Sequence, residues 1–95
     1  MRAGRRYRTS RLDFYSGPNA VGHPRFGVVV PRYGNSAVAR NRVQRRLREG
    51  IRRTLLVQLS GTDLVVRARP ASYGAGWPRL VQDLAEWLKA STDWS

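Results

Sequence analysis

The 95-residue chain has no cysteine, one histidine (His23), one lysine (Lys89) and six acidic residues. Each shortage removes a class of function. Without cysteine there is no disulfide framework and no thiolate metal site. His23 stands in a turn beside Pro24 with no triad partner in view, so it reads as a loop residue rather than a catalytic base. The acids are scattered. Asp13, Asp63 and Asp83 show no metal-ligand spacing, and no protein-borne nuclease pair is visible. Asp63, after a turn and before a strand, reads as structural. No apolar run approaches the length of a membrane span, and the amino end, MRAGRRYRTSR, lacks the apolar centre of a secretory signal. The default expectation is a soluble cytoplasmic protein without a membrane partner.

What is present is arginine. The net charge is +12, and 17 of the 18 basic residues are arginine. Residues 1–60 hold fourteen arginines against Asp13 and Glu49, whereas residues 61–95 balance four basic against four acidic residues. A field this strong and this lopsided calls for a polyanionic partner. Arginine favours nucleic acid over an anionic membrane, because its planar fork meets phosphate bidentately and stacks on bases. A GC-rich genome would account for arginine in place of lysine, but not for the net charge. Hydrophobic residues make up 41% of the chain, sufficient for the core of one small domain.

There is no internal repeat. Residues 1–9 are basic and short of apolar anchors and read as an arm; 10–91 read as a single domain and 92–95 as a tail. SRLDFYSG alternates, with Leu12 and Phe14 on one side and Arg11, Asp13 and Tyr15 on the other, as in a half-buried strand. RFGVVVP is nearly continuous in apolar residues, as a central strand would be, and Pro31 ends its ladder. Asn35 or Ser36 caps a helix expected from about Ser36 to about Leu59. GTDLVVRARP is the third clear strand, with Leu64, Val66 and Ala68 facing one way and Val65, Arg67 and Arg69 the other. ASYGAG is a loop. Pro78 fits the first turn of a last helix, whose stripe is Trp77, Leu80, Val81, Leu84 and Leu88. Trp77 and Trp87 read as core and Trp94 as a mobile end. The order β-β-α-β-α implies an α+β fold, a two-layer sandwich of helices on a sheet.

The long helix has two unlike sides. Ala39, Val43, Leu47, Ile51 and Leu55 step by four and form one drifting stripe. Arg42, Arg45, Arg46, Arg48, Arg52 and Arg53 fall opposite, with Asn41 beside them and Arg40 apart near the capped turn. Like-charge pairs such as Arg42–Arg46 and Arg48–Arg52 cost a few tenths of a kcal/mol each. Burying the apolar stripe, at roughly 1.5–3 kcal/mol per large side chain, outweighs that. A merely solvated face would mix signs, yet Glu49 alone answers the arginines from Arg40 to Arg53. A row of rigidly held forks matches a phosphate backbone. A strand rather than a partner helix precedes this helix, which does not fit helix-turn-helix DNA recognition. RNA recognition uses sheet aromatics on unpaired bases. Tyr7, Tyr15 and Tyr33 lie among basic residues, and Tyr15 is the best placed of them.

AVARNRVQRRLREGIRR closely resembles the signature helix of the bacterial ribonuclease P protein subunit. GHPRFGVVV is similar to that family's second strand, GTDLVVRARP to its strand after the helix, and SRLDFY occupies the place of its first strand. The resemblance runs from Gly4 to about Leu88. It implies a protein that binds a large catalytic RNA and the 5′ leader of precursor tRNA, one protein per RNA, and assists leader removal. It also implies Mg²⁺ held by the ribonuclease P RNA and no catalytic residue in the protein. The implied fold is an α/β sandwich with a left-handed βαβ crossover through the arginine helix, where the general rule predicts the right-handed one. Carried over by position, Arg40, Asn41, Arg42, Arg45, Arg46 and Arg48 are expected to bind RNA, and Arg52 on the same face is expected to join them. Tyr15, Arg32 and Arg69 match positions of the leader-binding cleft, where Arg67 is expected as well. The resemblance implies a start after the family's first helix, through either a truncated or mis-chosen start or a protein that lacks that helix; Gln44 stands in place of a lysine, and Pro31 and Tyr33 replace a small residue and a lysine. The alternative is a basic protein that binds structured RNA, such as a ribosome-associated one, without tRNA processing.

Overall fold

The computed structural model describes residues 5–20, 22–55 and 61–93. Four strands form one sheet: β1 (Arg5–Arg8), β2 (Leu12–Pro18), β3 (Arg25–Val29) and β4 (Thr62–Ala68). Their order across the sheet is β1-β2-β4-β3. β2 runs antiparallel to both neighbours, and β3 runs parallel to β4. The connection between those parallel strands carries helix α1 (Ala37–Gly50) and a π-helical turn (Ile51–Leu55). A 3₁₀ turn (Pro70–Gly74) leads into the last helix, α2 (Trp77–Asp93).

Both helices pack on one face of the sheet. Leu12 and Phe14 of β2 and Leu64, Val66 and Ala68 of β4 point into the core, as their period of two predicts. Val43, Leu47 and Ile51 meet them from the α1 side, and Leu80, Leu84 and Trp87 from α2. The Trp87 ring stacks on Phe14 at 5.4 Å between centroids. Ser36 caps α1 by accepting from the Ala39 amide at 3.1 Å. The helices touch at Gly50, where a Cβ would lie 2.6 Å from Leu84 Cδ1.

Four expectations change. Arg5–Arg8, read as an arm, is a strand: Tyr7 turns inward against the core and donates to Glu86, while Arg6 and Arg8 turn outward. Pairing with β2 supplies the hydrogen bonds that so short a segment cannot make alone. β3 is an edge strand, not a central one, and Val29 is left exposed. The segment ASYGAG, read as a loop, contains most of the 3₁₀ turn. α2 extends to Asp93, into the expected tail. Residues 56–59 of the expected long helix, and Trp94, lie outside the described residues.

Candidate nucleic-acid interface

Two surfaces carry the charge. The first is the outward side of α1. Burial of Val43, Leu47 and Ile51 fixes the helix's rotation, and that rotation turns Asn41, Arg42, Arg45, Arg48 and Arg52 to solvent. Arg42, Arg45, Arg48 and Arg52 make no hydrogen bond or ion pair among the described residues. Their donors are unspent and held about one helical turn apart. Asn41, Arg45, Arg48 and Arg52 line a shallow groove of about 460 Å³ with Gln44 and Glu49.

Two residues expected on this surface are partly withdrawn from it. Arg40 is half-buried. Its Nε donates to the Val30 carbonyl at 2.9 Å, and its Nη1 donates to both Asn41 Oδ1 and Gln44 Oε1 at 3.2 Å. It fastens the start of α1 to the end of the β3 segment. Arg46 is also half-buried and reaches the Ala75 carbonyl at 3.4 Å.

The second surface is the sheet face away from the helices. The register places Arg6, Tyr15, Val65 and Gly27 in one row across it, and Arg8, Asp13, Arg67 and Val29 in the next. Val65 and Val29 are 40% and 45% exposed. A Cβ on Gly27 would meet nothing within 4 Å, so the floor above it is open. The Arg6 guanidinium lies 5.8 Å from the centre of the half-buried Tyr15 ring. Arg8 binds Asp13 at 2.7 Å, which neutralises the acid on this face and holds the arginine in its charged form. Arg67 is exposed and has no partner among the described residues.

Of the four residues expected in a cleft, Tyr15 and Arg67 share this face. Arg32 is exposed in the loop after β3. Arg69 is turned away: its guanidinium donates to the Thr9 carbonyl at 2.8 Å and lies 3.4 Å from that of Ser10, closing the β1–β2 turn. Arg6, Arg8 and the Val29–Val65 floor were not singled out from the sequence. Alternation in RRYR, with Tyr7 inward and its neighbours outward, was the available signal. Tyr7 and Tyr33 are spent on structure; the Tyr33 hydroxyl donates to the Ala68 carbonyl at 2.8 Å.

Among the described residues no three histidines or carboxylates converge. Asp13, Asp63 and Asp83 are each held by an arginine. Asp63 accepts two bonds from Arg25, at 2.8 and 2.9 Å, and one from Asn19. Those bonds, Arg25's first, hold its pKa below the ordinary carboxylate value. This donor set does not fit a protein-borne Mg²⁺ site.

The family model described as Ribonuclease P matches residues 1–91. The chain belongs to the Ribonuclease P family. The ribonuclease P protein component of Pseudarthrobacter chlorophenolicus is 39% identical over 84 residues, covering 87% of this chain and 62% of that relative. That of Mycobacterium leprae is 40% identical over 77 residues, covering 75% and 63%. The chain thus spans less than two thirds of the length of these curated relatives. The RNase P protein of Thermotoga maritima superposes with a TM-score of 0.80 at 26% identity, covering 94% of this chain and 84% of that one. The Staphylococcus aureus RNase P protein, at 23% identity, shares the fold with a TM-score of 0.81 over 95% of this chain and 83% of its own. Family members thus share the sheet and helices that position both surfaces.

Proposed function

We propose that this protein is the RNA-binding subunit of ribonuclease P, acting in the cytoplasm with a catalytic RNA to remove the 5′ leader of precursor tRNA. The observation that carries the proposal is the outward row of Arg42, Arg45 and Arg48 on α1, which have no partner among the described residues, within the sequence ARNRVQRRLRE. On this reading the helix binds the catalytic RNA. Its exposed forks engage phosphates bidentately and release counterions, and the net charge of +12 steers assembly. The outer sheet face takes the single-stranded leader. Tyr15 offers a stacking ring, the Val65–Gly27–Val29 floor leaves room for a strand, and Arg6 and Arg67 meet its phosphates. Mg²⁺ resides on the RNA and supplies the hydrolytic chemistry there; the protein holds the substrate strand against it.

The test is precursor tRNA cleavage at low Mg²⁺, using a bacterial ribonuclease P RNA with and without this protein. Mature 5′ ends that appear only when both are present support the proposal. Tight RNA binding without stimulation would overturn it in favour of a plain structured-RNA-binding protein. Cleavage by the protein alone would place the chemistry in its own residues.

A further inference from the structure

Trp77, the first residue of α2, sits where the sequence suggests core, yet it is only half-buried. The edge of its six-membered ring faces Gly50, within 3.5 Å of where a Cβ would stand. Beside it the junction of α1 and α2 opens a cleft of about 290 Å³, lined by Arg45, Arg46, Glu49, Arg53 and Trp77. The cleft lies on the α2 side of α1, and Arg45 belongs both to it and to the phosphate-facing groove.

Its chemistry is specific. One aromatic wall meets three guanidiniums and one carboxylate, so the cleft is net positive. Arg45 has no partner among the described residues. Arg53 is held by Glu49 at 3.0 Å across one turn, which leaves part of its fork free. Arg46 runs towards the Ala75 carbonyl just before α2. A purely structural tryptophan would be covered by the helix junction. A peptide or lipid tail would gain little from three arginines. An aromatic wall beside guanidiniums with donors to spare suits a flat π-system with phosphates on either side.

We propose that this cleft takes one unpaired nucleobase of a bound RNA, stacked on Trp77, with its flanking phosphates met by Arg45 and Arg53. The volume is at the small end for ligand pockets and admits one such unit rather than a strand. The site is separate from the outer sheet face. It deepens the proposed function by adding a base-stacking contact to a helix that otherwise offers phosphate contacts. It therefore rests on that reading for its natural partner but not for its chemistry.

The test uses the full chain and two probes of equal length and charge, a short oligoadenylate and an abasic oligomer. Tryptophan emission and affinity are measured together. Oligoadenylate quenches the wild-type emission and the abasic oligomer does not. Trp77→Phe abolishes that quench while keeping a ring against Gly50. Trp77→Leu lowers oligoadenylate affinity roughly tenfold, leaves abasic affinity unchanged, and leaves the salt slope as it was. Tyr15→Leu, on the other surface, preserves the quench. A quench that persists in Trp77→Phe, or equal oligoadenylate affinity in wild type and Trp77→Leu, overturns the proposal. Should Trp77→Leu fail to fold by circular dichroism, the emission of Trp77→Phe decides it alone. The probes contain no catalytic RNA. A negative result here leaves stimulation of precursor cleavage standing, and a failure of stimulation leaves this site standing.

Discussion

At the residue scale the arginines divide by what their donors already hold. Arg42 and Arg48 have no partner among the described residues, so their removal costs binding and not folding. Arg42→Ala combined with Arg48→Ala should flatten the dependence of log affinity on log salt by about 1.5, at roughly 0.7–0.9 per phosphate contact. The thermal midpoint should stay unchanged. A filter-binding salt titration and a melting curve check both halves. Arg40→Ala should behave in the opposite sense. It takes a donor from the Val30 carbonyl and should cost about 1 kcal/mol of stability in urea unfolding. Asp63 sets an acid dependence. Its folded pKa lies below the unfolded one, so its stabilising effect is present above the ordinary carboxylate pKa and is lost as pH falls through the lowered folded value. Between neutrality and about pH 2, wild type should therefore lose more stability than Asp63→Asn, as read by thermal melts across that range.

At the element scale, α1 was legible because two periods coincide in it. The stripe Val43, Leu47, Ile51 is buried as the step of four requires, and the arginines lie opposite. What periodicity leaves out is the neighbour. Gly50 is at the end of α1 for a reason that belongs to α2: Leu84 Cδ1 occupies the place of a Cβ. Gly50→Ala gains helix propensity of up to about 1 kcal/mol, but overpacking a buried contact costs about 1–3 kcal/mol. The substitution should therefore destabilise by about 1 kcal/mol, measured by urea unfolding. The strands show the same division. β2 and β4 alternate, and the inward residues that their period of two predicts are buried. β1 is not legible in the sequence, because four residues carry too little pattern without the partner strand. β3 was read as central because RFGVVV is apolar on both faces. Its second apolar face meets no second layer among the described residues, and Val29 lies open on it.

At the scale of the whole molecule, the β1–β2 turn is clasped to α2. Asp83 of α2 is buried and accepts from the Thr9 hydroxyl at 2.8 Å and from the Arg11 amide at 3.1 Å; its other oxygen accepts from the Arg11 guanidinium at 2.9 Å. Arg69 closes the same turn from β4. The clasp ties the β1–β2 turn, and with it the strand bearing Arg6 and Arg8, to the helical layer. Asp83→Ala leaves three donors without their acceptor in a site where Thr9 and Asp83 are buried and Arg11 is partly buried. It should cost about 2–3 kcal/mol in urea unfolding. Because β1 supplies one residue, Arg6 or Arg8, to each row of the outer face, the same variant should weaken binding of a single-stranded leader more than binding of the catalytic RNA.

The sequence alone determined which side of α1 carries charge, which residues of β2 and β4 face inward, and the family, because each is written in local periodicity or in a contiguous motif. It did not determine where a long side chain spends its hydrogen bonds. Arg40, Arg42 and Arg69 are chemically alike, yet one fastens a helix, one has no partner among the described residues and one closes a turn. Only the tertiary structure decides that, since a guanidinium's partners are carbonyls brought near by folding: Val30, ten residues from Arg40, and Thr9, sixty from Arg69. The same holds for Trp77, whose exposure depends on how closely Gly50 lets α1 approach α2.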